Sequence, residues 1–202
     1  MQTTILLIRH GLTDWNAEHR WQGHEDIPLN ATGTDQARAL ARRLAGWPIQ
    51  ALYSSDLLRA AQTADILAAA VGLPVTRDSA WRERDVGAFQ GLTHAEIQAQ
   101  YPNEFAEMTR GTINPPHGED TQKLHARAVS AFDKLVTRHA GQMVAVVSHG
   151  GLLHTALLYV LGLPIGEYDR LSLRGNTGIS IVEIGNGRPR LSRLNDTAHL
   201  EI

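Results

Sequence analysis

The sequence contains no cysteine, and it has only two lysines against seventeen arginines. The absence of cysteine excludes disulfide bonds, thiolate nucleophiles and zinc sites with cysteine ligands, and with them the class of small secreted disulfide scaffolds. The preference for arginine favours ligands with phosphate or carboxylate oxygens, because a guanidinium group binds such oxygens as a planar fork. A bias in genome composition explains the preference equally well, so both interpretations stay open.

An excess of charge of one sign and long apolar runs are lacking as well. The net charge is −2 with histidine neutral, which provides no basic field for nucleic acid or for an anionic membrane surface. No apolar run approaches the roughly 20 residues that span a bilayer, and the first residues show no signal-peptide pattern. We therefore expect a cytoplasmic protein with no nucleic-acid partner and no membrane partner.

What is present is a regular alternation of strand and helix patterns. The short strand patterns cover residues 3–8, 51–54, 73–76, 143–147, 178–184 and 190–194. Strands that alternate with helices form βαβ units, and Asn186-Gly187 is a hairpin turn signal between the last two strands. We therefore predict an α/β fold of three layers, with helices on both faces of a mostly parallel sheet. About six strands are expected, one of them antiparallel.

The length of 202 residues suits one domain with a substantial core. We expect this single domain to cover residues 1–202, with a small cap over about residues 95–118. Where this cap begins, Thr93 and Glu96 have the spacing of a helix capping box. A long amphipathic helix is predicted over residues 119–139.

Two apolar strands end with the same pattern, in which a histidine and a glycine follow the run. The segments are Ile8-Arg9-His10-Gly11 and Val147-Ser148-His149-Gly150, and Gly11 is expected to permit a sharp exit from the first strand. In a doubly wound sheet, ligands bind beyond the carboxyl ends of the strands, so both histidines are expected at one edge. Gly150, which follows the second histidine, also begins a predicted helix, whose free N–H groups favour anions.

An arginine and a glutamate elsewhere in the chain are expected to join this edge. Ser55 is predicted to cap the helix after the second strand, which would place Arg59 in its second turn. Glu83 lies in an irregular segment between Arg82 and Arg84. Alternatively, Glu83 belongs to a surface ion network with these two arginines.

Two histidines, two arginines and one glutamate suit phosphoryl transfer through a covalent intermediate. A neutral imidazole is a competent nucleophile for phosphorus. Guanidinium and helix N–H groups balance the negative charge on the phosphoryl oxygens. A carboxyl group can protonate the leaving oxygen and then activate water.

The chain also resembles the histidine phosphatase (phosphoglycerate mutase-like) superfamily over nearly its whole length. One short motif would be weak evidence, but here five motifs occur in the order typical of the family. The motifs are Arg9-His10-Gly11 with the trailing Asn16, Gln22-Gly23, the segment 54–64 with its Ser-Ser-x-x-x-Arg pattern, Trp81-Arg82-Glu83, and the segment 146–151 around His149. Trp81 departs from the smaller aliphatic residue that is usual in the family, and Asp120 stands where a serine is usual.

The resemblance implies a role for each matched residue. His10 would be the phosphorylated nucleophile and Glu83 the proton donor to the leaving group. The phosphoryl group would be held by three residues, which are Arg9, Arg59 and His149. Further substrate-binding groups would be Asn16, Gln22, Gly23 and the N–H of Gly150. The resemblance implies no cofactor and no metal.

We predict hydrolysis of a small phosphorylated metabolite, because the mutases that this chain resembles have a longer insertion that encloses the site. The short cap here would admit water. Phosphoglycerate mutase activity is the alternative. Two further classes stay open, namely a pseudoenzyme that only binds a phosphorylated ligand and a metallohydrolase with His10, His149 and Glu83 as metal ligands.

The sequence leaves open which residues contact the substrate outside its phosphate, where His199 lies and whether the protein forms a dimer. Substrate contacts outside the phosphate could come from Arg20, His24, Arg110 and His117, or from an aromatic rim of Trp15, Trp21, Trp81 and Phe89. His199 could fold back over the site, although we expect that it does not. The edge of the terminal hairpin could support a homodimer, or its arginines could protect it from pairing.

Overall fold

A computed structural model of the protein describes residues 2–108, 111–167 and 169–201. Within these residues, six strands form one sheet at the centre of the protein. They are β1 (Thr3–Arg9), β2 (Ala51–Ser54), β3 (Val75–Arg77), β4 (Met143–Ser148), β5 (Ile179–Gly185) and β6 (Arg188–Asp196). Their order across the sheet is β3-β2-β4-β1-β5-β6.

The strand directions agree with the predicted fold class. β3, β2, β4 and β1 are parallel to one another, whereas β5 is antiparallel to β1 and β6 is antiparallel to β5. Among the described strands, β5 is therefore the one that opposes the rest. In the parallel pair of β1 and β4, Arg9 lies opposite Ser148, so the two strands end side by side.

Helices cover both faces of this sheet. They are α1 (Asp14–Ala17), α2 (Ala31–Leu44), α3 (Leu58–Val71), α4 (His94–Gln100), α5 (Pro102–Met108), α6 (Thr121–Arg138) and α7 (Gly150–Val160). Leu6 and Ile8 of β1 pack with residues of α2 and α3, whereas Ile5 and Leu7 pack with residues of α6 and α7. Since successive side chains of a strand point to opposite faces, β1 is buried on both sides, which explains its unbroken apolar sequence.

The predicted caps of α4 and α6 were confirmed, and both involve residues within three positions of each other. Thr93 and Glu96 form the capping box at the start of α4. Asp120 caps α6 by accepting a hydrogen bond from the Lys123 N–H at 2.8 Å, so the departure from serine preserves the cap.

The predicted start of α3 was wrong. The helix begins at Leu58, which places Arg59 in the first turn and not in the second. The Ser55 hydroxyl accepts a hydrogen bond from the Leu57 N–H within the preceding turn. The Leu58 N–H instead donates to a carboxylate oxygen of Asp26 at 2.5 Å. A residue distant in sequence therefore serves the helix end, and no local capping pattern could reveal it.

The segment predicted as a cap contains α4 and α5 followed by irregular chain. It shares a small apolar cluster, separate from the two sheet faces, in which Phe89 and Ile97 are buried and Tyr101 packs against them. Within the described residues, no helix combines the length and the apolar character needed to cross a lipid bilayer.

Candidate active site

The two histidine-bearing strand ends meet at the centre of the sheet. His10 and His149 directly follow β1 and β4, and their ring centroids lie 5.1 Å apart with an angle of 58° between the ring planes. Both rings are buried, with exposed fractions of 3 % for His10 and 0 % for His149. The topology therefore brings together two residues that are far apart in sequence.

The hydrogen bonding of His10 determines which nitrogen carries its proton. Nδ1 lies 2.7 Å from the backbone carbonyl oxygen of Gly11. A carbonyl oxygen only accepts, so Nδ1 carries the hydrogen and Nε2 keeps its lone pair. Burial, followed by the charges of Arg59 and Arg9, holds the pKa of His10 well below its ordinary value. The ring is therefore uncharged at neutral pH and presents a nucleophilic nitrogen.

His149 lacks a comparable anchor. Both of its ring nitrogens are buried and make no hydrogen bond within the described part of the protein. Burial, followed by the charge of Arg59, lowers the pKa of this ring well below its ordinary value. Because burying an unpaired polar group is costly, this ring is suited to donate to a bound anion.

The backbone around His10 is held by the connection between α7 and β5. The Asn176 side chain donates from Nδ2 to the His10 carbonyl oxygen at 3.0 Å. The Thr177 N–H donates to the Arg9 carbonyl oxygen at 3.0 Å. Thr177 has a φ of 56°, which is unfavourable for a β-branched residue and persists only where its surroundings enforce it.

His199 in the C-terminal segment contacts Thr177 and Arg43. His199 Nε2 lies 2.9 Å from the hydroxyl oxygen of Thr177, and its Nδ1 lies 3.3 Å from a guanidinium nitrogen of Arg43. Arg43 can only donate, so Nδ1 accepts and Nε2–H donates to the threonine. His199 therefore lies behind the strand end and does not fold over the site.

Gly11 is required for a different reason from the one expected from sequence. It does not adopt the left-handed conformation that favours glycine. A Cβ atom at this position would lie 2.5 Å from the carbonyl oxygen of Gly33 in α2. The glycine therefore permits a close backbone approach, which the strand pattern could not indicate.

The two arginines are oriented by backbone carbonyl groups. Arg59 donates to the carbonyl oxygens of Glu25 at 2.8 Å and Gly23 at 2.9 Å, and burial lowers its pKa to about 10. Arg9 donates to the carbonyl oxygens of Leu173 and Arg174, each at 3.0 Å. Nε of each arginine is buried without a hydrogen-bond partner in the described residues. Both groups stay cationic at neutral pH and can bind an anion.

The Glu83 carboxylate contacts backbone N–H groups and does not form the surface ion network that sequence left open. It accepts hydrogen bonds from the N–H groups of Arg84, Gly151 and Leu152. Arg82 is instead paired with Asp56 at 2.6 Å. Glu83 therefore lies at the N-terminal end of α7.

The backbone of the Glu83 segment is fixed by residues that the sequence did not single out for this role. His24 Nε2 lies 2.9 Å from the Glu83 carbonyl oxygen. Arg127 of α6 donates to the same oxygen at 3.1 Å and to the carbonyl oxygen of Arg82 at 2.7 Å. The same guanidinium forms an ion pair with Glu119. These contacts join residues that are far apart in sequence, so no local signal could have identified them.

These elements surround a cavity of about 460 Å³. Eight of the nine predicted site residues line it, and they are Arg9, His10, Asn16, Gln22, Gly23, Arg59, Glu83 and Gly150. His149 contacts His10 but is not among the lining residues. The other lining residues include His19, Arg20, Trp21, Arg84, Val86, His94, Ile113, Leu173 and Arg174.

Only some of the residues considered as further substrate contacts line the cavity. Arg20 and Trp21 line the cavity, whereas His24 holds the Glu83 carbonyl group and His117 lies outside the lining. Trp15 and Phe89 are also outside it, and Phe89 and Trp81 are buried in apolar clusters. Arg110 lies outside the described residues.

Asn16 is oriented by its own loop. Its Oδ1 atom accepts hydrogen bonds from the Thr13 N–H at 3.3 Å and the Thr13 hydroxyl at 3.1 Å. This bonding uses Oδ1 and leaves the amide NH2 group available as a donor to a ligand. Within the described residues, no group of three or more histidine, aspartate or glutamate side chains is arranged to hold a metal ion.

Comparison with known proteins bears directly on this arrangement. The family model described as histidine phosphatase superfamily (branch 1) matches residues 5–197. The chain belongs to the histidine phosphatase superfamily. Phosphoglycerate mutase-like protein 4 of Arabidopsis thaliana is 36 % identical to this histidine phosphatase over 203 residues, covering 98 % of this chain and 86 % of the relative.

The solved structures of two phosphatases have the same fold as this protein. Phosphoserine phosphatase from Entamoeba histolytica superposes on this histidine phosphatase with a TM-score of 0.90 and 28 % identity, covering 98 % of this chain and 99 % of that one. Mycobacterial glucosyl-3-phosphoglycerate phosphatase superposes with a TM-score of 0.86 and 34 % identity, covering 95 % of this chain and 98 % of the other. Phosphatases and phosphoglycerate mutase-like proteins are thus both relatives of this enzyme.

Proposed function

We propose that this enzyme hydrolyses a small phosphomonoester through a phosphohistidine intermediate on His10. The observation that carries the proposal is the fixed tautomer of His10, whose Nδ1–H points to the Gly11 carbonyl oxygen at 2.7 Å. The free lone pair on Nε2 belongs to an uncharged ring beside two cationic arginines. A neutral nucleophile next to cations suits attack on a phosphoryl group.

In the first step, His10 Nε2 would attack phosphorus and the bond from phosphorus to the leaving oxygen would break. A proton from the Glu83 carboxyl group would neutralise that oxygen. In the second step, water would attack phosphorus and the phosphorus–nitrogen bond would break. Glu83 would take the proton from this water, which restores the starting enzyme. Arg9, Arg59 and His149 would balance the charge of the phosphoryl oxygens in both steps.

The substrate that fits best is a small phosphorylated metabolite with a second anionic group. Glu83 is the one carboxylate among the described lining residues, whereas Arg20, Arg84 and Arg174 line the cavity in addition to Arg9 and Arg59. Arg20 is paired with Glu18 and Glu96, but the lining as a whole carries more arginines than carboxylates, which favours an anionic ligand. The names of the two phosphatases of similar structure are consistent with this class, because phosphoserine and glucosyl-3-phosphoglycerate both carry a carboxylate besides the phosphate.

The decisive test is a rapid quench of wild type and His10→Ala during turnover of an aryl phosphate. We expect a phosphoenzyme in wild type alone, and this species should be labile in acid and stable in base. A label that survives acid, or one that remains in His10→Ala, would identify a different nucleophile. Binding of phosphate without turnover would indicate a pseudoenzyme, and loss of activity with a chelator would indicate a metallohydrolase.

Phosphoglycerate mutase activity is the second candidate, and it is favoured by the mutase-like name of the Arabidopsis relative. The exposed lining residues His19, His94 and Arg174 place part of the cavity wall in contact with solvent, which favours hydrolysis. Assays of phosphate release and of isomerisation of 3-phosphoglycerate to 2-phosphoglycerate separate the two activities. Efficient isomerisation without phosphate release would replace the hydrolase proposal.

A further inference from the structure

The two oxygens of the Glu83 carboxylate are not equivalent. Oε1 accepts two hydrogen bonds, from the N–H groups of Arg84 at 2.9 Å and Leu152 at 3.1 Å. Oε2 accepts one hydrogen bond, from the Gly151 N–H at 3.0 Å. A carboxylate oxygen has about two acceptor positions, so Oε1 is filled and Oε2 has one position left.

Gly151 makes this arrangement sterically possible. A Cβ atom at residue 151 would lie 2.5 Å from Oε1 and 3.2 Å from the carboxyl carbon of Glu83. The three nearest heavy atoms that it would meet all belong to Glu83. Residue 151 also lacks the left-handed conformation that favours glycine, so the helix itself would accept alanine. The space kept open by Gly151 is therefore occupied by the proposed acid and base.

We propose that Gly151 is a positioning residue for proton transfer in this enzyme. It allows the Glu83 carboxyl group to rest against the first turn of α7, with Oε1 as the anchored oxygen and Oε2 as the oxygen that carries the proton. This inference rests on the proposed role of Glu83 as general acid and base. It assigns the proton transfer to Oε2 of Glu83 and the positioning of this atom to Gly151.

The proton balance of the reaction agrees with this division. In the first step the proton on Oε2 passes to the leaving oxygen as the bond from phosphorus to that oxygen breaks. Oε2 is then unprotonated, and the Gly151 N–H stabilises its charge. In the second step Oε2 accepts a proton from the attacking water as the phosphorus–nitrogen bond breaks. The anchored Oε1 atom keeps its two hydrogen bonds throughout.

The test is Gly151→Ala, assayed with an alkyl phosphate and with p-nitrophenyl phosphate. A nitrophenolate leaves without a proton, whereas an alkoxide needs one. We expect kcat for the alkyl phosphate to fall about tenfold or more, with a much smaller fall for the nitrophenyl ester and little change in KM. Alanine is the better helix former, which offsets part of the cost of displacing the carboxylate from its N–H partners. The retained activity with the nitrophenyl ester separates the expected effect from lost folding.

A matched control is Gly46→Ala. Its added Cβ atom would meet no atom within 4 Å, and we expect both activities to stay unchanged. The effect of Gly151→Ala should also vanish in a Glu83→Gln background, because a residue that acts through Glu83 adds nothing once the acid is gone. Equal loss with both substrates, or an undiminished loss in the Glu83→Gln background, would overturn the inference.

Failure of this inference can be distinguished from failure of the proposed function. If Glu83→Gln selectively slows the alkyl phosphate but Gly151→Ala does not, Glu83 is the acid and the positioning role is wrong. If Glu83→Gln slows both substrates equally, the proposed acid itself is wrong. Should Gly151→Ala fail to fold, the alanine is introduced together with Glu83→Asp, whose shorter side chain leaves room for the added Cβ atom. The alanine should then add no selective loss on alkyl phosphates beyond that of Glu83→Asp alone, and an added selective loss would refute the inference.

Discussion

The ends of β1 and β4 have the same local pattern, yet their histidines have different surroundings. His10 has one ring nitrogen bonded to the Gly11 carbonyl oxygen, whereas neither nitrogen of His149 has a hydrogen-bond partner in the described residues. His10 lines the cavity and His149 does not. Asn176 also holds the backbone of His10.

This contrast agrees with the proposed roles, in which His10 is the nucleophile and His149 binds the phosphoryl group. A nucleophilic imidazole needs a fixed tautomer, so that the same nitrogen always presents its lone pair. A ring that donates to an anion needs no such restriction, because either nitrogen can carry the hydrogen. The following predictions test whether the two histidines differ in this way.

The largest effect is expected for His149→Ala. Loss of one group that stabilises the transferred phosphoryl oxygens should lower kcat/KM by about 10² to 10³. The variant should still form a phosphoenzyme, detected by acid-sensitive labelling, because His10 remains. His125→Ala on α6 is the control and should retain full activity. Complete loss of the label in His149→Ala would remove the distinction between the two histidines.

A smaller effect is expected for Asn176→Ala, which acts on the β1 end and on Asn16, whose Oδ1 atom also accepts a hydrogen bond from Asn176 at 3.4 Å. The variant removes this donor from the buried His10 carbonyl group, which keeps the Thr177 N–H at 3.3 Å, at a cost of about 0.5–1.5 kcal/mol in the free energy of unfolding. Displacement of the nucleophile should lower kcat about tenfold. The control is Ser192→Ala, which removes a side-chain hydrogen bond to the Ile181 carbonyl oxygen on the terminal hairpin. Equal effects of the two variants on kcat would contradict a specific role for Asn176.

The smallest effect concerns the dependence of stability on pH. Both histidines have lowered pKa values in the folded state, so below pH 6.5 the unfolded chain binds more protons than the folded chain. Stability from this source is therefore complete above the unfolded pKa and declines as the pH falls, by up to about 1.4 kcal/mol per pH unit for each histidine.

Urea unfolding at pH 7.5 and at pH 5.5 measures this decline. His149→Asn should lose about 1 kcal/mol less between these pH values than wild type, because it lacks one of the two titrating groups. The contributions of the carboxyl groups are common to both proteins and cancel in the comparison. An identical decline in wild type and variant would show that His149 is not held neutral by the fold.

Much of the architecture followed from short-range patterns. The apolar runs of β1 and β4, the capping box at Thr93 and the cap at Asp120 all depend on residues within a few positions of one another. The prediction for Ser55 was wrong because the first N–H of α3 is bonded to Asp26, which lies in a distant loop. Local capping rules describe only neighbours, so they cannot identify such a donor and acceptor pair.

The amino-acid sequence by itself determined the family of this enzyme, the class of its fold and the list of residues expected at one sheet edge. These depend on residue types, on hydrophobic periodicity and on the order of motifs. Only the tertiary structure decided which nitrogen of His10 is free, that the ring of His149 has no anchor, and that the Glu83 carboxylate rests on Gly151. Proton positions and pKa shifts arise from burial and from contacts between distant segments, and these exist only after the chain has folded.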